Sequence, residues 1–292
     1  MKLKEKLQHL LVIHDFFPKS YLSQNFLIAP NIILRIVEEI EIGKKDLVLE
    51  IGAGTGILTS HLVKKAKKVW AVEVDEKLCR ILREEVGKAE NLEIICKDIK
   101  QVDLDKLFSG RGKIKVVGNL PYHIASRLIL HLIRKKWWKV MIFTIQREVA
   151  ERLLSPPGDK KRGVLTVITS YYADVEKVID IPPQAFYPPP RVSSTVIRLR
   201  PGKRLKAKNE DFLIATVKAG FASRRKTLLN CFSRELKLPR NLIEDVLIKS
   251  EIPEKARAEE LKVEDFVRLS NLLLDEELAR KALEDKVVSQ RY

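Results

Sequence analysis

Long apolar runs are missing from this chain. No stretch approaches the roughly 20 consecutive apolar residues that a membrane span requires. The N-terminal MKLKEKLQHLLVIHDFFPKS has a short apolar run, but His14, Asp15 and Pro18 break it and no small-residue cleavage site follows. Membrane-spanning and secreted readings are therefore set aside. Cysteine is scarce as well: Cys79, Cys96 and Cys231 form no C-x-x-C pair and have no His at ligand spacing. That excludes a zinc module and a disulfide scaffold, and reads as three reduced core thiols in a cytoplasmic protein that binds no metal. Internal repeats and low-complexity tracts are also absent.

What the chain has in excess is positive charge. Fifty-five Lys plus Arg stand against 39 Asp plus Glu, a formal charge of +16 over 292 residues. A field of that size favours a polyanionic partner, nucleic acid first. The 45% hydrophobic content is enough for one large core and a smaller second one.

Ile32, Ile33, Ile36, Val37 and Ile40 follow helical spacing, and Gly43 closes that helix. Asp46 to Glu50 reads as a strand, Gly52 to Gly56 as a turn and Leu58 to Lys65 as a helix. Strands at Val69 to Glu73, Leu92 to Cys96, Ile114 to Val117 and Val140 to Ile145 alternate with helices at Lys77 to Val86 and Ala125 to Lys135. This alternation predicts an α/β, mostly parallel sheet covered on both faces. A helix at Val149 to Leu154, a loop at Ser155 to Gly163 and β-rich segments ending at Val196 to Leu199 follow. Beyond Pro201-Gly202 only helical periodicity is left, over Phe212 to Phe221, Arg224 to Phe232, Leu242 to Ile248, Val263 to Leu274 and Glu276 to Val288. The expected domains are 1–201, α/β, and 202–292, smaller and all-α.

Glu50-Ile-Gly52-Ala-Gly54-Thr-Gly56 lies between a strand and a helix, where glycine lets a ligand press against bare backbone. A dinucleotide site would read G-x-G-x-x-G with pyrophosphate at the helix start; here the spacing is G-x-G-x-G, which suits a nucleoside without phosphates better than NAD. The next strand ends in Glu73, placed to accept both ribose hydroxyls, and the one after in Lys97-Asp98, where Asp98 could accept from an adenine amino group. Each acid alone is an ordinary solvated strand end. Together the three strand ends look like the S-adenosylmethionine (SAM) site of class I methyltransferases.

The fourth strand delivers Gly118-Asn119-Leu120-Pro121-Tyr122 to the same edge. Asn119 offers a side-chain carbonyl, Leu120 a backbone carbonyl, and Pro121 fixes the turn without adding a donor. Two acceptors on one exocyclic amine would hold both its N–H groups and free its lone pair for alkylation. Tyr122 adds an aromatic face for a base. Catalysis would then rest on positioning and on acceptors matched to developing positive charge.

These residues resemble the ribosomal RNA adenine N6-dimethyltransferase family over nearly the whole chain, and within it the small-subunit branch. The supporting stretches are Ser23-Gln24-Asn25-Phe26-Leu27, Gln146 to Arg152, Phe186-Tyr-Pro-Pro-Pro-Arg-Val-Ser-Ser194, Phe221 to Lys226 and Arg257 to Phe266. The resemblance implies a class I, Rossmann-like, seven-stranded catalytic domain over 1–201 and a helical RNA-binding domain over 202–292. It implies that Asn25, Leu27, Gly52, Gly54, Glu73, Asp98 and Asn119 contact SAM or the reacting amine, and that Tyr122 and Phe186 sandwich the target adenine. It also implies dimethylation of two adjacent adenines in the 3′-terminal hairpin loop of small-subunit rRNA, within a partly assembled subunit, by a monomer. Two positions depart from the family pattern: Ser23 replaces a usual Gly, which predicts a different backbone angle there, and His123 replaces a usual Asn and could touch RNA or cap the next helix.

Basic clusters at Lys64 to Lys68, Arg134 to Lys136, Lys160 to Arg162, Lys203 to Lys208 and Arg224-Arg225-Lys226 are expected to track phosphates around the site. Arg224 and Arg225, opening a helix, are the first choice for RNA backbone contacts. Trp137 and Trp138 precede a strand and read as packing residues. The rival readings are the large-subunit adenine methylase of the macrolide-resistance type and a non-catalytic RNA-binding assembly factor of the same fold.

Overall fold

The computed structural model describes residues 2–19, 22–202 and 205–289. Lys203 and Arg204 of the fourth basic cluster lie outside the described residues. The chain runs α1 (Leu3–Ile13), β1 (Phe26–Leu27), α2 (Pro30–Glu39), β2 (Leu47–Ile51), α3 (Thr59–Leu62), β3 (Lys68–Glu73), α4 (Glu76–Val86), β4 (Leu92–Cys96), α5 (Leu104–Phe108), β5 (Ile114–Asn119), α6 (Ala125–Ile133) and β6 (Trp138–Gln146). Then follow α7 (Arg147–Leu153), α8 (Val164–Tyr172), β7 (Ala173–Ile181), β8 (Phe186–Tyr187), β9 (Ser194–Pro201), α9 (Glu210–Gly220), α10 (Leu228–Glu235), α11 (Arg240–Lys249), α12 (Val263–Asp275) and α13 (Glu277–Ser289).

Seven strands form one sheet in the order β4-β3-β2-β5-β6-β9-β7. Strands β4 through β6 are parallel, and β9 runs antiparallel to β6. The parallel strands are apolar throughout because helices cover both faces, so Val48, Leu49, Val69, Ala71 and Val116 are fully buried. Register fixes the upper edge: Ile51 stands opposite Val72 and Gly118, which brings the ends of β2, β3 and β5 side by side. A separate two-stranded piece pairs β1 with β8, Leu27 opposite Phe186. Pro30 opens α2 at a position where its missing N–H costs nothing. Asp75 caps α4 by accepting from the Lys77 and Leu78 amides.

The chain divides into two compact units, residues 1–150 with 174–201, and residues 151–173 with 202–292. The first holds the sheet. The second is helical and includes residues 151–173, which the sequence reading assigned to the α/β part. Within it α8 replaces an expected β-rich segment. VLTVITSYY is rich in β-branched and aromatic residues, and seven of its nine side chains are buried, so it carries no helical stripe. Packing against α9 and α12 decides its conformation.

The structure departs from two further expectations. Arg224, Arg225 and Lys226 do not open a helix: they sit in the exposed turn before α10, which starts at Leu228 with Thr227 as its cap. The cysteines are not three reduced thiols. Cys79 on α4 and Cys96 at the end of β4 are joined by a disulfide, with Cα atoms 6.0 Å apart, and Cys231 is free and buried. Packing of α4 on β4 brings together residues 17 positions apart. Their spacing therefore carried no sign of the bond, and thiol state no longer speaks for a reducing compartment. Among the described residues, no helix is long and apolar enough to cross a membrane.

Candidate functional site

The carboxyl ends of β2, β3, β4 and β5 enclose a cavity of about 150 Å³ lined by Asn25, Gly52, Gly54, Glu73, Asp98 and Asn119 among others. This is where ligands gather in open α/β sheets. Gly52 has φ of 74°, and a Cβ there would stand 3.2 Å from the Asn119 carbonyl. The loop is bare because β5 passes so close. Glu73 is 6% exposed and accepts from three backbone amides: Gly54 at 2.8 Å, Val74 at 2.9 Å and Asp75 at 3.1 Å. Burial nevertheless holds its pKa above the ordinary carboxylate value, and those three N–H groups work against the rise. Oε1 takes the Val74 and Asp75 amides and Oε2 the Gly54 amide, which leaves a lone pair on Oε2 for a hydroxyl donor. Asp98, in the cavity lining, accepts from the Lys100 amide through Oδ1 at 2.9 Å, and Oδ2 has no partner among the described residues.

The asparagine turn is fixed from two sides. Asn119 Nδ2 donates to the Asn25 carbonyl at 2.8 Å, and the Leu120 amide donates to the Thr144 carbonyl at 3.1 Å. With the amide nitrogen so engaged, Asn119 Oδ1 is the free end. Neither that oxygen nor the Leu120 carbonyl accepts a hydrogen bond from the described residues. Pro121 puts its own carbonyl into the first turn of α6, accepting from Ile124 and Ala125. Tyr122 is half-buried, its hydroxyl 2.7 Å from Ser194 Oγ at the start of β9, and burial raises its pKa, so the phenol stays neutral.

Other expected residues are placed differently. Phe186 is 2% exposed and packs in the core with Ile32, Ile36, Val117 and Ile142, so it offers no open face beside Tyr122. Leu27 lines a smaller cavity of about 60 Å³ behind the glycine loop instead of the main one. Ser23 has a left-handed φ of 53°, a region glycine enters more readily than serine, and its carbonyl accepts from Asn25 Nδ2 at 3.2 Å. His123 lines the main cavity, and α6 has no side-chain cap.

The sequence reading missed three side chains. Asp75, besides capping α4, binds Lys19 Nζ at 2.7 Å and Gln24 Nε2 at 3.3 Å, tying the segment before β1 to the cavity rim. Ser194 orients Tyr122. Glu50 is buried on β2 with Oε2 unpaired among the described residues, and its pKa is pushed up to about 8 by desolvation and the nearby Glu73 charge. An acid inside an otherwise apolar strand was the available signal for it.

This strand order, with one antiparallel strand at the end of a parallel run and a glycine turn followed by two acidic strand ends, is the architecture of class I SAM-dependent methyltransferases. Residues 17–275 match the model of the family described as ribosomal RNA adenine dimethylase, and the chain belongs to that family. The ribosomal RNA small subunit methyltransferase A of Alkaliphilus oremlandii is 38% identical over 277 residues, 92% of this chain and 96% of that one. A dimethyladenosine transferase from Plasmodium falciparum superposes with a TM-score of 0.74 at 29% identity, covering 86% of this chain and 96% of that one. The 23S rRNA methyltransferase ErmE superposes at 0.66 with 27% identity, covering 86% and 100%.

Proposed function

We propose that the enzyme transfers methyl groups from SAM to N6 of adenine in small-subunit ribosomal RNA, two on each of two adjacent adenines in the 3′-terminal hairpin loop of a partly assembled subunit. The observation that carries this reading is the pair of unengaged acceptors, Asn119 Oδ1 and the Leu120 carbonyl, at the end of β5. The cofactor cavity fits: a bare loop at Gly52, a carboxylate with a spare lone pair on Oε2 at Glu73, and a second carboxylate at Asp98 match a nucleoside's hydroxyls and amine. When bound, SAM supplies an electrophilic methyl group on a sulfonium.

An adenine N6 lone pair is delocalised into the ring and is a poor nucleophile. Asn119 Oδ1 and Leu120 O accept its two N–H groups and favour a pyramidal nitrogen whose lone pair points away from the ring. As positive charge develops on nitrogen the same two oxygens bind more strongly, so stabilisation is greatest where it lowers the barrier. Once methylated, the nitrogen gives up one of its two protons to solvent, and one acceptor suffices to hold the N–H that remains. Tyr122 stacks on the extruded base, with about 1–3 kcal/mol per base–aromatic contact offsetting the lost neighbours. Phe186, buried in the core, takes no part in that stack. Asn25 acts on the amine through Asn119, and Glu73, Gly52, Gly54 and Asp98 hold the nucleoside. Arg224, Arg225 and Lys226, all exposed on the helical unit, contact RNA phosphates.

The small-subunit target is favoured over the large-subunit one by the 38% identity to a small-subunit methyltransferase against 27% to the 23S enzyme. Primer extension on both rRNAs from a strain lacking the gene tests the choice. Loss of the modification stop on small-subunit rRNA alone is expected; loss on the large subunit alone would refute it.

A further inference from the structure

The catalytic end of the sheet is its carboxyl edge. Two of the basic clusters expected around that end, Lys64 to Lys68 and Arg134 to Lys136, lie at the opposite edge, because they immediately precede β3 and β6 in a parallel sheet. A strand of five residues such as β2 separates the two edges by about 17 Å at about 3.3 Å per residue.

The segments at the amino edge carry a large excess of cations. The segments leading into β2, β3, β5 and β6 read GKKD (43–46), VKKAK (63–67), SGRGK (109–113) and RKKW (134–137), ten Lys or Arg against one carboxylate. That carboxylate, Asp46, is taken by the buried Lys115 at 2.9 Å, which with the Gly43 amide holds its pKa down against desolvation. Strands β3, β2, β5 and β6 are consecutive neighbours, so the four segments form one continuous ridge. The segment leading into the outer strand β4 breaks the pattern with Glu90. Lys135 is neutralised by Asp105 at 2.5 Å, and Lys68, just inside β3, by Glu93 at 3.3 Å. Lys44, Lys45, Lys64, Lys65, Lys67 and Lys136 have no carboxylate within ion-pair distance among the described residues, and all six are exposed.

Fold stability gives no reason for such a row, since like charges across neighbouring loops repel. We infer that the amino edge of the sheet is a second RNA-contact surface, which follows the phosphates of a duplex distant from the adenine being methylated. None of the exposed large apolar side chains falls in the four segments, whereas a membrane-binding face would present them. The inference rests on the proposed RNA substrate. It explains how a subunit-sized RNA is held while a single base is extruded elsewhere: one end of the domain grips backbone and the other performs chemistry.

The test neutralises Lys45, Lys65, Lys67 and Lys136 together as Gln in the full chain. Methylation of undermethylated small subunits is followed at several salt concentrations. SAM affinity and turnover of a short hairpin carrying only the target loop are measured alongside. The quadruple variant is expected to raise KM for the subunit at least about tenfold and to lower the salt slope by about 3, with hairpin turnover and SAM affinity unchanged. A control that neutralises Lys2, Lys4, Lys6 and Lys177 is expected to change KM less than about threefold. An unchanged KM and salt slope in the ridge variant, or an equal effect of the control, overturns the inference. So does loss of binding to anionic phospholipid vesicles with subunit affinity intact. If the unaltered chain methylates no small-subunit rRNA, the proposed function itself has failed, a result distinct from these.

Discussion

Asn119 Nδ2 donates to the backbone carbonyl of Asn25 at 2.8 Å, joining residues 94 positions apart. One bond sets which end of the Asn119 amide is left for a substrate. Asn119→Ala removes the acceptor, and turnover is expected to fall about 10²- to 10³-fold, the scale seen when one transition-state hydrogen bond is lost. Asn119→Asp keeps an oxygen but turns a donor into an acceptor facing the Asn25 carbonyl, and is expected to lose as much. SAM affinity, measured by calorimetry, should change less than about fivefold in the Ala variant; a large loss there would make Asn119 a cofactor residue first.

Glu73 shows the complementary behaviour. Its carboxylate is held by three backbone amides, so Glu73→Ala both removes the ribose acceptor and frees the glycine loop. A rise in SAM Kd of about 10- to 100-fold is expected, corresponding to about 1.4–2.8 kcal/mol. Turnover at saturating SAM should fall far less than in Asn119→Ala. Unchanged SAM affinity would show that another group binds the ribose.

Glu50 makes a prediction about pH. Its folded pKa, about 8, lies above the ordinary 4.5. An acid shifted upward contributes stability that is full below the unfolded pKa and is lost as pH rises through the folded one. Thermal stability should therefore decline from about pH 5 to about pH 8.5, more steeply in the unaltered protein than in Glu50→Gln. Glu73, also raised, leaves a residual slope in the variant. Parallel melting curves for the two proteins would contradict the burial of an ionisable Glu50.

The Cys79–Cys96 bond closes a loop of 17 residues between α4 and β4. A crosslink of that span stabilises by about 3 kcal/mol in the chain-entropy picture. Dithiothreitol should lower Tm, and Cys79→Ser with Cys96→Ser should abolish the reductant's effect. Alkylation of the unfolded, unreduced chain should label Cys231 alone; labelling of all three cysteines would show the bond absent.

Much of this was legible in the residue order. Alternating apolar strands and amphipathic helices gave the parallel sheet, and a glycine turn with acids at the next two strand ends gave the cavity. What was not legible depends on contacts far apart in sequence. The Asn25–Asn119 bond is one example, and the burial of Phe186 behind Leu27 through β1–β8 pairing is another. Helix α8 was hidden because burial on nearly every side erases periodicity. The start of α10 was readable and missed: Thr227 before Leu228-Leu229 is a capping signal, and it places Arg224 and Arg225 in a turn. The basic ridge was readable too, since segments that precede parallel strands must share the amino edge.

The most direct test of the account is mass spectrometry of the 3′-terminal fragment of small-subunit rRNA after undermethylated subunits are incubated with SAM and either the unaltered chain or Asn119→Ala. Two methyl groups on N6 of each of two neighbouring adenines are expected with the first, and an unmodified fragment with the second. Full dimethylation by Asn119→Ala, or methyl groups on any atom other than an adenine N6, would contradict the proposal that the β5 turn holds the reacting amine.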